Sequence, residues 1–187
     1  MLHTKREIAK FADVDFKCVN PESRLERVKK ESQGKQFAKS KFAFGCIEFS
    51  FEGNLGLLVR TAACYNMDVH VIGSIPESRI LREKSASTAH LINIIQYSTP
   101  GEFLRAVKGK KIVAAELSDR SIPLNNYTFS DEETILFVGN ESVGISEDIL
   151  MAADCVEIPM IGPAPCLNVT NAAAILVWEA HRQLIHK

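Results

Sequence analysis

An α/β fold, a mostly parallel sheet flanked by helices, is what this sequence predicts, on three observations. Short apolar runs rich in aromatic and β-branched residues recur along it, such as FAFGCIEF at 42–49 and ILFV at 135–138. Such unbroken runs suit strands covered on both faces better than half-solvated ones. Between them lie segments of helical length, and strand and helix alternate as βαβ units require. Hydrophobic residues make up 46% and charged residues 24% of 187 positions, which suits one globular domain with a short appendage.

Residues 1–41 read as that appendage, a basic helical extension. Two helices are predicted there, at 3–16 and 21–33, with Pro21 in the first turn of the second and Gly34 at its end. The net charge of −1 hides an asymmetry, +5 over residues 1–41 and −6 over 42–187. A nucleic-acid-facing segment and a solvated helix face explain it about equally well. On the first reading Lys29, Lys30, Lys35, Lys39 and Lys41 contact phosphate, which positions a partner without reading its sequence.

The first strand, at 42–49, passes through a loop at 50–53 into a helix at 55–65, which Asn54 is placed to cap. A strand at 69–73, a helix at 77–86, a strand at 91–96 and a helix at 100–108 come next. A strand at 111–117 precedes an irregular stretch at 124–129. The central strand, at 135–138, ends in Gly139-Asn140-Glu141. Ser146 then caps a helix at 147–153 whose first turn is acidic. A strand at 155–160 is closed by Pro159, a loop holding Gly162, Pro163 and Pro165 follows, and the last helix starts near Asn168.

Several classes of function lack their signatures. Cys18, Cys46, Cys64, Cys155 and Cys166 form no CxxC pair, so no metal site is expected and the thiols read as reduced. No strand is followed by GxGxxG, and there is no P-loop. No apolar run reaches the ~18 residues of a membrane span. The start, MLHTKREIAK, lacks a secretory core, and a cytoplasmic location is the expectation.

Three stretches carry more than architecture. They are Asn54-Leu-Gly-Leu-Leu-Val-Arg60-Thr-Ala, then GNESVGIS from Gly139, then IPM from Ile158 with CLNVTNAAAILVWE from Cys166. In this order they resemble the three motifs of the SPOUT-superfamily tRNA/rRNA ribose 2′-O-methyltransferases of SpoU/TrmH type, over residues 42–184. The resemblance implies a methyltransferase domain at 42–187 with a C-terminal trefoil knot, S-adenosylmethionine as cofactor, and a homodimer. It implies methyl transfer to a ribose 2′-hydroxyl of structured RNA, tRNA ahead of rRNA. Two other readings are an RNA-binding relative without catalysis and a base-directed RNA methyltransferase.

Carried over residue by residue, Gly139, Ile158 and Leu167 fall on cofactor-contacting positions, with Met160, Cys166 and, more weakly, Leu117 beside them. Packing in a core would equally explain Ile158 and Leu167. Arg60 falls on the family's catalytic arginine, and Asn54, Glu141 and Asn168 on its other motif polar residues. A guanidinium stays protonated, so phosphate anchoring and charge stabilisation suit Arg60 better than a role as free base. Glu141 is expected to orient Arg60 or the substrate; a structural Arg60–Glu141 salt bridge is the plainer alternative. The chain departs from the family at Cys166, usually serine, at Asn171, usually small or apolar, and at Asn66, often glycine. Ala172, Ala173, Ala174, Ile175 and Trp178 suit close helix packing, against the chain's own core or a partner.

Overall fold

The computed structural model describes residues 37–185. The helices expected at 3–16 and 21–33 lie outside these residues. Two lysines of the basic segment lie inside them and are engaged. Lys39 Nζ meets Asp68 at 2.5 Å and Lys41 Nζ meets Asp131 at 2.6 Å.

Among the described residues seven strands form one sheet in the order β3-β2-β1-β6-β4-β7-β5. They are β1 (Phe42–Ile47), β2 (Val69–Ile72), β3 (Ile94–Tyr97), β4 (Lys111–Ala115), β5 (Ile122–Pro123), β6 (Thr134–Val138) and β7 (Asp154–Glu157). Every neighbouring pair is parallel. Five helices accompany them among the described residues: α1 (Gly53–Cys64), α2 (Ser78–Lys84), α3 (Pro100–Ala106), α4 (Glu147–Met151) and α5 (Val169–Ile185).

The continuous apolar runs have the expected cause. Phe42, Phe44 and Cys46 of β1, with Leu136 and Val138 of β6, face a core shared with Leu55, Leu58 and Val59 of α1 and Leu176 and Val177 of α5. Ala43, Ile135 and Phe137 face the other way, onto Phe103 of α3 and Ile149 of α4. Period-two alternation thus serves two cores at once.

Boundaries moved where pairing partners end. β4 stops at Ala115 rather than 117, and β7 stops at Glu157 rather than 160, because their mutual register runs out at Ala115↔Val156. Ile158–Pro165 is therefore free to form loop. The strand expected at 91–96 is split into a 3₁₀ turn, Ala89–Leu91, and β3. The stretch read as irregular is preceded by the short edge strand β5 and holds a 3₁₀ turn, Leu124–Asn126.

Two caps also differ. Asn54 lies inside α1, which starts a residue earlier, and the capping position is Glu52 with no side-chain bond. Ser146 precedes α4 but caps nothing with its hydroxyl, which is buried without a hydrogen-bond partner among the described residues. Asn66 has a structural reason. Its φ of 51° is left-handed, and its side-chain amide donates to the Ala38 carbonyl at 2.9 Å. Asparagine tolerates that region where most side chains do not.

Candidate active site

The chain leaves β1 through α1 towards β2 on one side, and leaves β6 through α4 towards β7 on the other. β1 and β6 are adjacent, so their carboxyl ends open a crevice at a topological switch point, the usual ligand site of open parallel sheets.

Side-chain bonds tie the two strand ends together there. Asn140 Nδ2 donates to the Glu48 carbonyl at 2.7 Å, while its Oδ1 accepts from the Ser142 and Val143 amides at 2.8 and 3.1 Å. The loop is closed by a reciprocal backbone pair between Asn140 and Gly144, at 3.0 and 2.9 Å. Gly144 has φ +68°, and a Cβ on Gly139 would stand 2.7 Å from the Gly144 carbonyl carbon. Both glycines are therefore required by the turn.

The motif polar residues meet at this junction. Asn54 Nδ2 donates to Glu141 Oε1, and the Ser50 amide donates to Glu141 Oε2 at 2.8 Å. Asn168 Nδ2 donates to Asn54 Oδ1 at 3.3 Å. Asn168 Oδ1 in turn accepts from the Thr170 amide at 2.9 Å and its hydroxyl at 2.6 Å. Partial burial pushes the Glu141 carboxyl up. Hydrogen bonds from backbone amides, its own and that of Ser50 foremost, and from Asn54 outweigh this and hold it below the ordinary range.

Beside the junction lies a cavity of about 330 Å³ at the carboxyl ends of β4, β6 and β7. Leu117, Gly139, Ile158, Met160, Cys166 and Leu167 all line it, with Glu116, Asn140 and Glu141. The alternative for Ile158 is partly met, since it also packs against the core of the α1 and α5 face. Leu117 stands at the rim, 74% exposed.

Arg60 is not part of this convergence. It is exposed on α1 and is not among the residues lining the cavity. Among the described residues it has no ion-pair or hydrogen-bond partner, and Glu141 turns to Ser50 and Asn54 instead. The salt-bridge reading of this pair therefore fails within the chain.

Four residues of the site were not singled out from sequence. Asn140 and Thr170 stood inside the motifs, next to residues that were. Ser50 reaches Glu141 through its backbone amide, which no residue type encodes, while its hydroxyl donates to Asn140 Oδ1 at 3.2 Å. Glu116 accepts from the Ile145 amide at 3.1 Å and would clash with a Cβ on Gly144. A lone acid at a strand end gives no local sign of that.

Among the described residues, no group of three or more His, Cys, Asp or Glu is placed to hold a metal ion. No described helix is long and apolar enough to cross a membrane.

The fold and the switch-point crevice are those of an open parallel α/β protein with its motif residues at the ligand end of the sheet, and comparison with known proteins gives the family. Residues 41–178 match the model of the SpoU rRNA Methylase family, and the chain belongs to that family. It is 29% identical over 70% of its length to tRNA (guanosine(18)-2′-O)-methyltransferase of Escherichia coli, covering 58% of that protein. It thus spans somewhat over half of that relative. It is likewise 29% identical over 70% of its length to a putative tRNA (cytidine(34)-2′-O)-methyltransferase of Bacillus subtilis, covering 85% of it. Among solved structures, the A. aeolicus TrmH/SpoU tRNA modifying enzyme superposes with a TM-score of 0.68 at 27% identity, covering 88% of this chain and 84% of that one.

Proposed function

We propose that the protein transfers a methyl group from S-adenosylmethionine to a ribose 2′-hydroxyl of tRNA. The observation that carries the reading is the meeting of all three motifs at one switch point beside one cavity. The names of the relatives support ribose over base and tRNA over rRNA.

The cavity fits the cofactor on its own terms. Gly139 presents bare backbone where a Cβ would collide, and Ile158 and Leu167 offer apolar surface for an adenine. Bound there, S-adenosylmethionine supplies an activated methyl, so the protein needs neither a nucleophile nor a metal of its own. What the residues do is hold, orient and exclude water. Gly139, Ile158, Met160, Cys166 and Leu167 would form the slot, with Leu117 at its rim. Arg60 would anchor the phosphate beside the target ribose and offset the charge that grows on its oxygen as the proton leaves. Lacking a partner among the described residues, Arg60 would serve the cofactor site of a second subunit in a homodimer. Leu57, Ile175 and Trp178, exposed on α1 and α5, supply an apolar face for that pairing. We extend the reading to a trefoil knot in the C-terminal third, a cytoplasmic location, and an RNA-facing role for residues 1–41.

The test is methylation of bulk tRNA by the purified protein with labelled S-adenosylmethionine, followed by nucleoside analysis. The expected product carries the label in dinucleotides resistant to alkaline cleavage. Label on a base would replace the ribose reading. No label, with the cofactor shown to bind, would leave an RNA-binding protein.

A further inference from the structure

The chain of bonds from Thr170 to Glu141 has a direction, and both of its ends impose the same one. At one end stands a backbone N–H, that of Thr170, which can only donate. The Asn168 atom facing it must be the oxygen, and the Thr170 hydroxyl gives that oxygen a second donor at 2.6 Å. The Asn168 amide nitrogen is then left to face Asn54, whose oxygen must receive it. Asn54 can consequently turn only its own NH₂ towards Glu141. At that far end an ionised carboxylate can only accept, and its second oxygen accepts from the Ser50 amide. Reversing any one amide would set two acceptors or two donors face to face.

We infer that Asn168, Asn54 and Glu141 form a one-way hydrogen-bond relay, anchored by Thr170 and Ser50, whose polarity locks the start of the arginine-bearing helix to the two cofactor loops. Glu141 then acts as a terminal acceptor, a positioning residue rather than an acid or base. Each link joins a different part of the site. Thr170 and Asn168 belong to the start of α5, Asn54 to α1, Glu141 to the loop after β6, and Ser50 to the loop after β1. Asn54 is 2% and Thr170 8% exposed, so water is poorly placed to replace a lost bond. The inference rests on the proposed methyl transfer for its kinetic consequences, but not for its geometry.

A polarity swap tests it. Asn168→Asp keeps an oxygen for Thr170, and aspartate is as good a helix cap as asparagine. It removes the donor to Asn54, so Asn54 must reverse and set its oxygen against the Glu141 carboxylate. Glu141→Gln alone leaves the Ser50 or the Asn54 donor without an acceptor. Combined, the two changes rebuild a relay of opposite direction: glutamine donates to Asn54, Asn54 donates to aspartate, and Ser50 keeps its acceptor. Each single variant is expected to lose about tenfold in kcat at saturating cofactor and to melt earlier. The double variant should return to within about threefold of the parent in kcat and recover its melting temperature. Losses that simply multiply in the double variant would overturn the relay. So would an Asn168→Asp variant indistinguishable from the parent, which would leave Asn168 as a helix cap alone. Should a single variant fail to fold, Thr170→Val and Thr170→Ser give the second measure. Serine keeps the extra donor and should match the parent, valine should lower kcat, and equal behaviour of the two would count against the relay. If the parent itself methylates no RNA, the functional reading falls, while recovery of the melting temperature still decides the relay.

Discussion

Arg60 carries the sharpest consequence of the site. It sits on the exposed side of α1, one turn beyond Gly56, where the C-terminal end of α2 packs too closely for a Cβ. Its helix is firmly seated while its own side chain has no partner among the described residues. A cation held ready and unpaired suits a phosphate that arrives with substrate. Arg60→Ala should lower kcat by about two orders of magnitude, the scale of one lost electrostatic donor. Arg60→Lys should rescue little, since a point charge does not reproduce the planar fork. The dissociation constant for S-adenosylmethionine, measured by calorimetry, should hardly move, because Arg60 does not line the cavity. Full activity in Arg60→Ala would remove it from the mechanism.

Strands β4 and β7 carry two of the three loops around the cavity, so the bonds that join them bear on the site. At their far ends Lys111 Nζ meets Asp154 Oδ2 at 2.9 Å, and the Tyr127 hydroxyl donates to the same oxygen at 2.8 Å. The bond from Lys111, with a smaller contribution from Tyr127, holds the Asp154 carboxyl below its usual range despite partial burial. Burial, and next the bond to Asp154, push the Tyr127 hydroxyl up to about 12. A depressed carboxyl stabilises the fold above its unfolded pKa of ~3.9, and that contribution is lost as pH falls through the lower, folded value. Asp154→Asn should therefore cost stability at neutral pH and nothing once the parent carboxyl is protonated. Asp154 is 48% exposed, so solvent screening limits the cost to about 0.5 kcal/mol. Urea midpoints of parent and variant between neutral pH and pH 2 should converge on the acid side. Parallel curves would show that the pair contributes nothing.

Two copies of the molecule are what the proposed reaction needs if Arg60 completes a neighbour's site. Mixing Arg60→Ala chains with Gly139→Trp chains tests this directly. The tryptophan collides with Gly144 and fills the cavity, so each parent is impaired by a different defect. Heterodimers formed from them should hold one intact hybrid site and recover up to about half of the activity of an equal amount of parent dimer. Heterodimers that form but stay inactive would place Arg60 at its own chain's cofactor.

The α/β class, the alternation of elements and the positions of six of the seven strands were legible in local pattern. Two-sided burial leaves continuous apolar runs, and helices of period 3.6 fill the gaps between them. The dipeptide β5 left no such run, and an edge strand that short has none to leave. The three motifs were legible too, through their resemblance to a known family, and with them six of the residues that line the cavity, Leu117, Gly139, Ile158, Met160, Cys166 and Leu167. Strand order was not legible. Pairing β1 with β6 joins residues about 90 positions apart, and no local pattern encodes it. That single adjacency creates the crevice and brings Ser50 and Asn54 to Glu141. It also decided which polar groups pair with which. Glu141 was expected to orient Arg60 or the substrate; within the described residues the fold hands it a backbone amide and an asparagine, and leaves the Arg60 side chain exposed. Hydrogen-bond direction depends on where chain-distant donors come to rest, and burial makes each of them insist on an acceptor.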